Sequence, residues 1–164
     1  MTTHQFCTPE WLKAISRIYR ANQYTKDKLK KFTAKICYRV KSDPDLGISE
    51  DIFFGAFIEK GELKTLNFFT EGEAFQEAEY ILAASPATWK NIFRKECEFV
   101  TDFMLGKIQL ELGTKVSMLE LALYVDNIFD FFTRVDLQFP DEMSEDELTK
   151  YRSKMGTPRR ERGP

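Results

Sequence analysis

The sequence predicts an α+β fold, with about five mostly antiparallel strands and helices packed on one face of the sheet. A chain of 164 residues suits one domain with one core. Apolar residues alternate with polar ones at several places in the first half, which indicates strands. Apolar residues at helical spacing dominate the C-terminal half. Because strands and helices are largely segregated along the chain, we expect helices to cover the sheet.

The first helix is predicted over residues 8–20. Thr8 can cap it, Pro9 suits its first turn, and Trp11 and Ile15 belong to its apolar face. The following connection, residues 22–31, is polar and basic. We interpret its lysines as a solvated surface rather than as a phosphate site.

Three strands should follow. Residues 32–40 alternate between apolar and polar side chains, which is typical of a half-buried strand. Residues 52–59 (IFFGAFIE) are apolar on both faces and should therefore form a central strand. A tight turn at Gly61-Glu62 leads into the third strand, residues 63–70, and Glu71-Gly72-Glu73 is read as another turn.

Residues 77–84 are ambiguous, because alanine and glutamate favour a helix while the segment is short and ends at Ser85-Pro86. We interpret this segment as a strand. Ser85 should cap a helix that begins at Pro86 and runs to about Lys95, and a short helix is expected over residues 98–104.

The last predicted strand spans residues 107–112, with Ile108, Leu110 and Leu112 on one face. Gly106 should end the preceding helix in a left-handed conformation. The longest helix is predicted over residues 115–135, and its apolar positions cover more than one stripe. We therefore expect it to be buried on most sides.

Composition divides the chain into a domain over residues 1–139 and a polar tail over residues 140–164. Residues 144–155 could form a helical turn or two. The end, GTPRRERGP, has the composition of a disordered segment, so we expect the tail to be largely disordered.

Several kinds of chemistry lack the residues they need. The chain has 24 Lys and Arg against 26 Asp and Glu, which argues against nucleic acid as a partner. His4 is the single histidine, which removes a Ser-His-Asp triad within the chain and most metal sites. The glycine spacing fits neither a dinucleotide fingerprint nor a phosphate loop, so no cofactor is expected. Glu120 and Asp126 interrupt the apolar helix, and we expect both to face solvent.

The predicted location is the cytoplasm. The N-terminus lacks the pattern of a signal peptide, and no apolar run reaches the roughly 18 residues that span a bilayer. Three widely spaced cysteines, Cys7, Cys37 and Cys97, indicate reduced structural thiols. Fifteen phenylalanines indicate a large aromatic interior. The residues themselves leave open whether this interior packs against itself or encloses a ligand.

The stretch from Phe103 to Gly113 (FMLGKIQLELG) resembles the sterol carrier protein 2 family. That family typically shows an aromatic residue, two further residues, Gly-Lys, an alternating strand, a glycine and then an apolar helix. The likeness covers residues 32–135 in element order, and Gly106-Lys107 is its specific part. The longer, more aromatic closing helix, the first helix and the polar tail depart from the family pattern.

This resemblance implies a sterol-carrier-like fold and a protein that binds or carries a sterol, fatty acyl or prenyl molecule without catalysis. The pocket would lie between the sheet and the helices, in a monomer or a homodimer. The residues expected to line it are Trp89, Phe93, Phe99, Phe103, Met104, Met118, Leu121, Ala122, Val125 and Phe129.

Two alternatives belong to other functional classes. The first is an acyl-CoA thioesterase of the hot-dog type, which also combines a long helix with an antiparallel sheet. There the helix precedes most strands, whereas here the longest predicted helix follows them. The second is an interaction or assembly module whose apolar groove takes a partner helix, which predicts an open apolar patch of several hundred Å².

Overall fold

The computed structural model describes residues 3–155, with the backbone alone described at positions 123 and 131. The strands of this range are β1 (Thr3–Gln5), β2 (Ala34–Val40), β3 (Ile52–Glu59), β4 (Glu62–Phe69), β5 (Tyr80–Ala84), β6 (Gln109–Leu112) and β7 (Asp136–Gln138). Its α-helices are α1 (Pro9–Ala21), α2 (Gln23–Lys28), α3 (Glu71–Glu77), α4 (Pro86–Phe93), α5 (Phe99–Met104), α6 (Lys115–Glu120), α7 (Ala122–Phe132) and α8 (Glu145–Met155).

The main sheet has five strands in the order β4-β3-β2-β5-β6. Neighbouring strands are antiparallel except for the parallel pair β2 and β5. This confirms the predicted α+β class and the five-stranded sheet. Strand β3 is interior, as its two apolar faces predict, although β2 occupies the middle position. A separate parallel pair joins β1, which contains His4, to β7, so residues 107–112 are not the last strand.

The large core lies on one face of the main sheet, where α1, α4, α5 and α7 pack. The other face carries a small core that contains Phe53, Phe57 and Phe69, and Ala74 of α3 covers it. The predicted turn at residues 71–73 is therefore wrong. Thr70 and Glu73 form a reciprocal capping box, which satisfies the first amides of α3.

Arg39 of β2 forms a network of ion pairs beside this small core. Its guanidinium forms ion pairs with Asp51 at 2.7 Å, Glu111 at 2.8 Å and Glu71 at 3.1 Å. The guanidinium also lies 4.9 Å above the ring of Phe53. Asp51 directly precedes β3, Glu111 is in β6 and Glu71 begins α3. The network therefore links elements that are distant in sequence.

The turn between β3 and β4 is formed by Lys60 and Gly61, which have φ angles of 49° and 81°. Two positive φ angles match the twist of a hairpin. The turn packs against α2, a short helix within the connection that we expected to be only a polar surface. The hydroxyl of Tyr19 donates to the carbonyl of Gly61 at 2.8 Å, which fixes α1 to the same turn.

The single long helix predicted over residues 115–135 is wrong, because the segment divides into α6 and α7. At Leu121 the amide donates to Met118, three residues back, instead of continuing the α-helical ladder. Helix α6 leaves Val116 exposed, whereas α7 buries Val125 and Phe129. Among the described residues the longest helix is instead α1, with 13 residues.

The expectation that Ile108, Leu110 and Leu112 share a face is also wrong. A register shift between Ile81 and Leu82 of β5 interrupts the pairing with β6. As a result, Ile108 and Leu110 pack against the large core, while Leu112 packs against the small core on the opposite face. A bulge moves later side chains to the other face of a sheet.

The polar C-terminal segment forms α8, which is three turns long rather than one or two. Tyr151 is buried, and its hydroxyl donates to the carbonyl of Phe6 at 2.6 Å. Ser144 precedes the helix, and its side chain accepts from the amide of Glu147. The predicted disordered end, residues 156–164, lies outside the described residues, and the division at residue 139 stays a prediction.

Candidate aromatic binding site

The interior on the helical face of the sheet contains a group of packed rings, which we call the aromatic cluster. Neighbouring ring centroids lie between 5.1 and 6.4 Å apart. These separations are typical of stacked and edge-to-face pairs. The cluster consists of Trp11, Tyr38, Phe54, Trp89, Phe93, Phe129 and Phe132.

Trp89 connects the helices to the sheet. Ser85 caps α4 by accepting from the amide of Thr88, and the helix begins at Pro86, as the sequence predicts. One turn later, the indole of Trp89 donates to the carbonyl of Arg39 in β2 at 3.0 Å. This bond satisfies the only polar atom of the ring, so the rest of it can pack in the cluster without an unpaired group.

The structure brings most of the predicted lining residues together. Trp89, Phe93 and Phe129 belong to the aromatic cluster, and Phe99 extends it by contacting Phe129 at 5.4 Å. Phe103 stacks on Phe99 at 5.8 Å. Met118 and Val125 belong to the same core, and the partly buried Leu121 packs against it. Ala122 is buried but is not a member of that core.

Met104 is the exception among the predicted residues, because 54% of it is exposed. It ends α5, just before the left-handed Gly106, and the helix turns its side chain outwards. The spacing of apolar residues around Phe103 could not reveal this, since α5 is too short to establish a periodic stripe.

Sequence reasoning missed four cluster members: Trp11, Tyr38, Phe54 and Phe132. Two of them were detectable, because Trp11 is on the apolar face of the first helix and Tyr38 is on the apolar face of the alternating strand β2. Nothing in the sequence shows that α1, β2 and α7 meet at one place. These three elements are far apart in the chain, and only the tertiary fold brings them together.

Two surface clefts next to α7 reach the aromatic cluster. The first has a volume of about 270 Å³ and is lined by Phe93 and Phe132, with Arg94 at its edge. The second has a volume of about 370 Å³ and lies between α7 and the α4–α5 segment, where Phe99 and Phe129 line it. Both clefts are open to solvent, and rings of the interior form part of the wall of each.

Asp126 lies in the second cleft and is only partly exposed, whereas Glu120 is exposed as expected. Burial raises the pKa of Asp126 above its ordinary value, and the nearby Glu98 raises it further. Lys95 acts in the opposite direction, and this lysine also pairs with Asp130.

Replacing Asp126 with asparagine is expected to raise the melting temperature at neutral pH by at most about 2 °C. A carboxyl group whose pKa is raised by folding stabilises the folded state below its unfolded pKa, near 3.9. That contribution is lost as the pH rises through the pKa of Asp126 in the folded protein. The asparagine variant is therefore more stable than the wild type only at pH values above this pKa. Thermal unfolding of both proteins between pH 3 and 7 tests this.

The exposed Glu120→Gln provides the matched control and should leave the melting temperature unchanged at each pH. A lower melting temperature for Asp126→Asn at neutral pH would show that attraction to Lys95 outweighs the cost of burial.

Two further properties concern residues 3–155 alone. No helix in this range has both the length and the hydropathy needed to cross a bilayer. Within the same range, His, Cys, Asp and Glu side chains form no group of three that could hold a metal ion.

The architecture defines an α+β class in which a mixed five-stranded sheet carries helices over an aromatic interior. Among solved structures it corresponds to sterol carrier protein 2. A crystal structure of sterol carrier protein 2 is 21% identical, covers 79% of this chain and 98% of its own, and superposes with a TM-score of 0.70.

Two other solved structures agree with this assignment. The conserved hypothetical protein TT1886 from Thermus thermophilus, described as possibly a sterol carrier protein, is 21% identical, covers 81% of this chain and 91% of its own, and has a TM-score of 0.68. The apo form of sterol carrier protein 2 from Yarrowia lipolytica is 13% identical, covers 76% and 88%, and has a TM-score of 0.54. No family model and no curated protein sequence matches the chain. The chain therefore has the sterol carrier protein 2 fold, as the stretch around Gly106-Lys107 predicts.

Proposed function

We propose that this protein binds or carries an apolar, lipid-like molecule between the sheet and helices α4, α5 and α7, without catalysing a reaction. The observation that carries the proposal is that both clefts beside α7 end on the aromatic cluster, at Phe93 and Phe132 in one and at Phe99 and Phe129 in the other. Contact with these rings would supply affinity at about 25 cal/mol per Å² of apolar surface buried.

The names of the similar structures support the same proposal. Proteins called sterol carrier protein share this fold, and we extend the carrier function from them to this chain. Helix α7 is the element that would move to admit a ligand, because it starts at the break at Leu121 and supplies lining residues to both clefts. Of the ten predicted lining residues, Met104 would contribute to the rim rather than to the wall, since it is exposed.

A panel of lipids should raise the melting temperature of the purified protein by several degrees for at least one long-chain acyl, prenyl or sterol compound. Binding to the folded state alone stabilises it by mass action. Native mass spectrometry of the protein and of an organic extract would identify any molecule that copurifies. The absence of any shift across the panel would overturn the proposal.

A matched pair of variants locates the site. Phe129→Leu removes a ring that lines the second cleft, and we expect it to reduce the ligand-induced shift by half or more. Phe75→Leu makes the same change on α3, which covers the opposite face of the sheet, and 41% of Phe75 is exposed. It should leave the shift unchanged. Equal effects of the two substitutions would place the ligand elsewhere.

The fold comparison does not support the thioesterase alternative, because two of the similar structures are named as sterol carrier protein 2. The prediction that the longest helix follows the strands is also wrong, since α1, the longest helix among residues 3–155, precedes the strands of the main sheet. Hydrolysis of acyl-CoA that depends on an acidic residue would restore this alternative. The cytoplasmic location and the monomeric or homodimeric state are parts of the proposal that a fractionation and a sedimentation experiment can test.

One observation still favours the alternative of an interaction module. Met104, Leu105, Val116 and Leu119 are exposed apolar residues at the end of α5 and on α6. The two helices are neighbours, because the ammonium of Lys115 lies 6.0 Å from the ring centroid of Phe103. If the lipid panel produces no shift, these exposed residues make a protein partner the better explanation.

A further inference from the structure

Two polar groups inside the aromatic cluster have no hydrogen-bond partner among residues 3–155. They are the hydroxyl of Tyr38 and the indole N–H of Trp11, and both residues are 0% exposed. Burying a polar group without a partner is unfavourable, because it loses its bonds to water and gains none in return. An orphaned group of this kind therefore needs an explanation.

Three comparable buried donors among the described residues are satisfied. The indole of Trp89 donates to a backbone carbonyl at 3.0 Å. The hydroxyls of the buried Tyr19 and Tyr151 donate to backbone carbonyls at 2.8 and 2.6 Å. The fold thus provides acceptors for these three donors, including Trp89 within the cluster, whereas Tyr38 and Trp11 lack one among the described residues.

The two unpaired groups surround the same pair of rings. Tyr38, on the middle strand β2, stacks on Phe54 at 5.1 Å and contacts Phe132 at 6.4 Å. Trp11, on α1, contacts Phe54 at 5.4 Å and Phe132 at 5.9 Å. Tyr38 also contacts Trp89 and Phe129, at 5.7 Å in each case, so its ring adjoins the residues that we propose to line the ligand site.

The chemistry of the two groups specifies the missing partner. An indole N–H can only donate, and a phenol can donate, so an acceptor satisfies both. Burial raises the pKa of Tyr38, which keeps its hydroxyl protonated and able to donate. Among the described residues that are buried, none is a lysine, arginine or histidine. An ionised carboxylate would therefore enter this interior without a counter-charge, at a large desolvation cost.

We propose that the ligand is a neutral apolar molecule with a hydroxyl or carbonyl oxygen, such as a long-chain or sterol alcohol, and that the Tyr38 hydroxyl donates to that oxygen. This inference rests on the proposed function and adds the chemical class of the ligand. It assigns Tyr38 as the residue that distinguishes a neutral oxygenated lipid from both a hydrocarbon and a fatty acid anion.

The test compares three probes of equal chain length, 1-tetradecanol, tetradecanoate and tetradecane, delivered from cyclodextrin to the full chain at pH 7.5. The readout is quenching of tryptophan fluorescence. The wild-type protein should bind tetradecanol at least about tenfold more tightly than tetradecanoate. Tyr38→Phe should weaken tetradecanol binding about fivefold, which corresponds to one neutral hydrogen bond. The affinity for tetradecane should stay within about twofold.

Tyr38→Phe removes an unpaired hydroxyl, so the melting temperature without ligand should be unchanged or higher. Tyr151→Phe is the matched control, since it removes a paired hydroxyl outside the cluster. It should lower the melting temperature and leave tetradecanol affinity unchanged. Equal tetradecanol affinities for wild type and Tyr38→Phe, or tetradecanoate binding as tight as that of tetradecanol, would overturn this inference while the proposed function stands. If none of the probes binds the wild-type protein and the lipid panel also fails, the proposed function itself fails.

Discussion

Replacing Trp89 with alanine is expected to lower the free energy of unfolding by about 3–5 kcal/mol. The ring is 0% exposed and contacts Tyr38, Phe93 and Phe129 at 5.7–6.2 Å. Its removal leaves a cavity at the centre of the aromatic cluster and leaves the carbonyl of Arg39 without the indole donor. Because small domains are stable by about 5–15 kcal/mol, much of the total would be lost.

Urea unfolding followed by circular dichroism measures this loss, and Trp89→Phe separates its two causes. The phenylalanine variant keeps an aromatic ring at the position but cannot donate, so a loss of about 1–2 kcal/mol is expected. If the alanine variant lost less than about 1 kcal/mol, the rings around Trp89 would not be closely packed. If the ligand occupies the space that the indole leaves, added lipid should stabilise the alanine variant more than it stabilises the wild type.

Replacing Gly61 with alanine should lower the free energy of unfolding by about 3 kcal/mol or more. The residue has a φ of 81°, which a side chain disfavours by about 1 kcal/mol. The larger effect is steric, because an added Cβ would lie 2.5 Å from the carbonyl oxygen of Lys26 and 3.1 Å from that of Leu29. Both obstacles are backbone atoms, so either the turn or α2 must move. Such a shift would also break the bond from Tyr19 to the carbonyl of Gly61.

Gly106→Ala is the control for this substitution. Gly106 has almost the same φ, 82°, but an added Cβ would meet nothing within 4 Å. It therefore isolates the backbone strain, and a loss of about 1 kcal/mol is expected. Denaturant unfolding of both variants gives the comparison. Equal losses would mean that the turn adapts to the extra methyl group and that the close approach to α2 is not essential.

Local rules explain why many elements were predictable. Thr8 and Ser85 precede prolines at helix starts, and both cap their helices as expected. The alternation of residues 34–40 indicates a strand with one buried face, and Tyr38 lies on that face. In each case the signal is contained in a few neighbouring residues, so a single sequence is sufficient to detect it.

The errors have a different origin. The break at Leu121 and the register shift opposite β6 are decided by packing against distant elements, which local periodicity does not record. Helix α8 is strongly polar, and its burial depends on Tyr151 reaching the carbonyl of Phe6 at the other end of the chain. Met104 is apolar, as core residues are, yet its position at the end of the short helix α5 exposes it to solvent.

The sequence by itself determined the class of the fold, the order of most elements and the aromatic character of the interior, because these follow from residue type and period. Only the tertiary structure decided which rings share the cluster and that clefts beside α7 reach it. It also revealed that the hydroxyl of Tyr38 and the indole of Trp11 have no hydrogen-bond partner in the part of the chain that the structure describes. A hydrogen bond depends on distance and direction between groups far apart in the chain, and a sequence contains neither quantity.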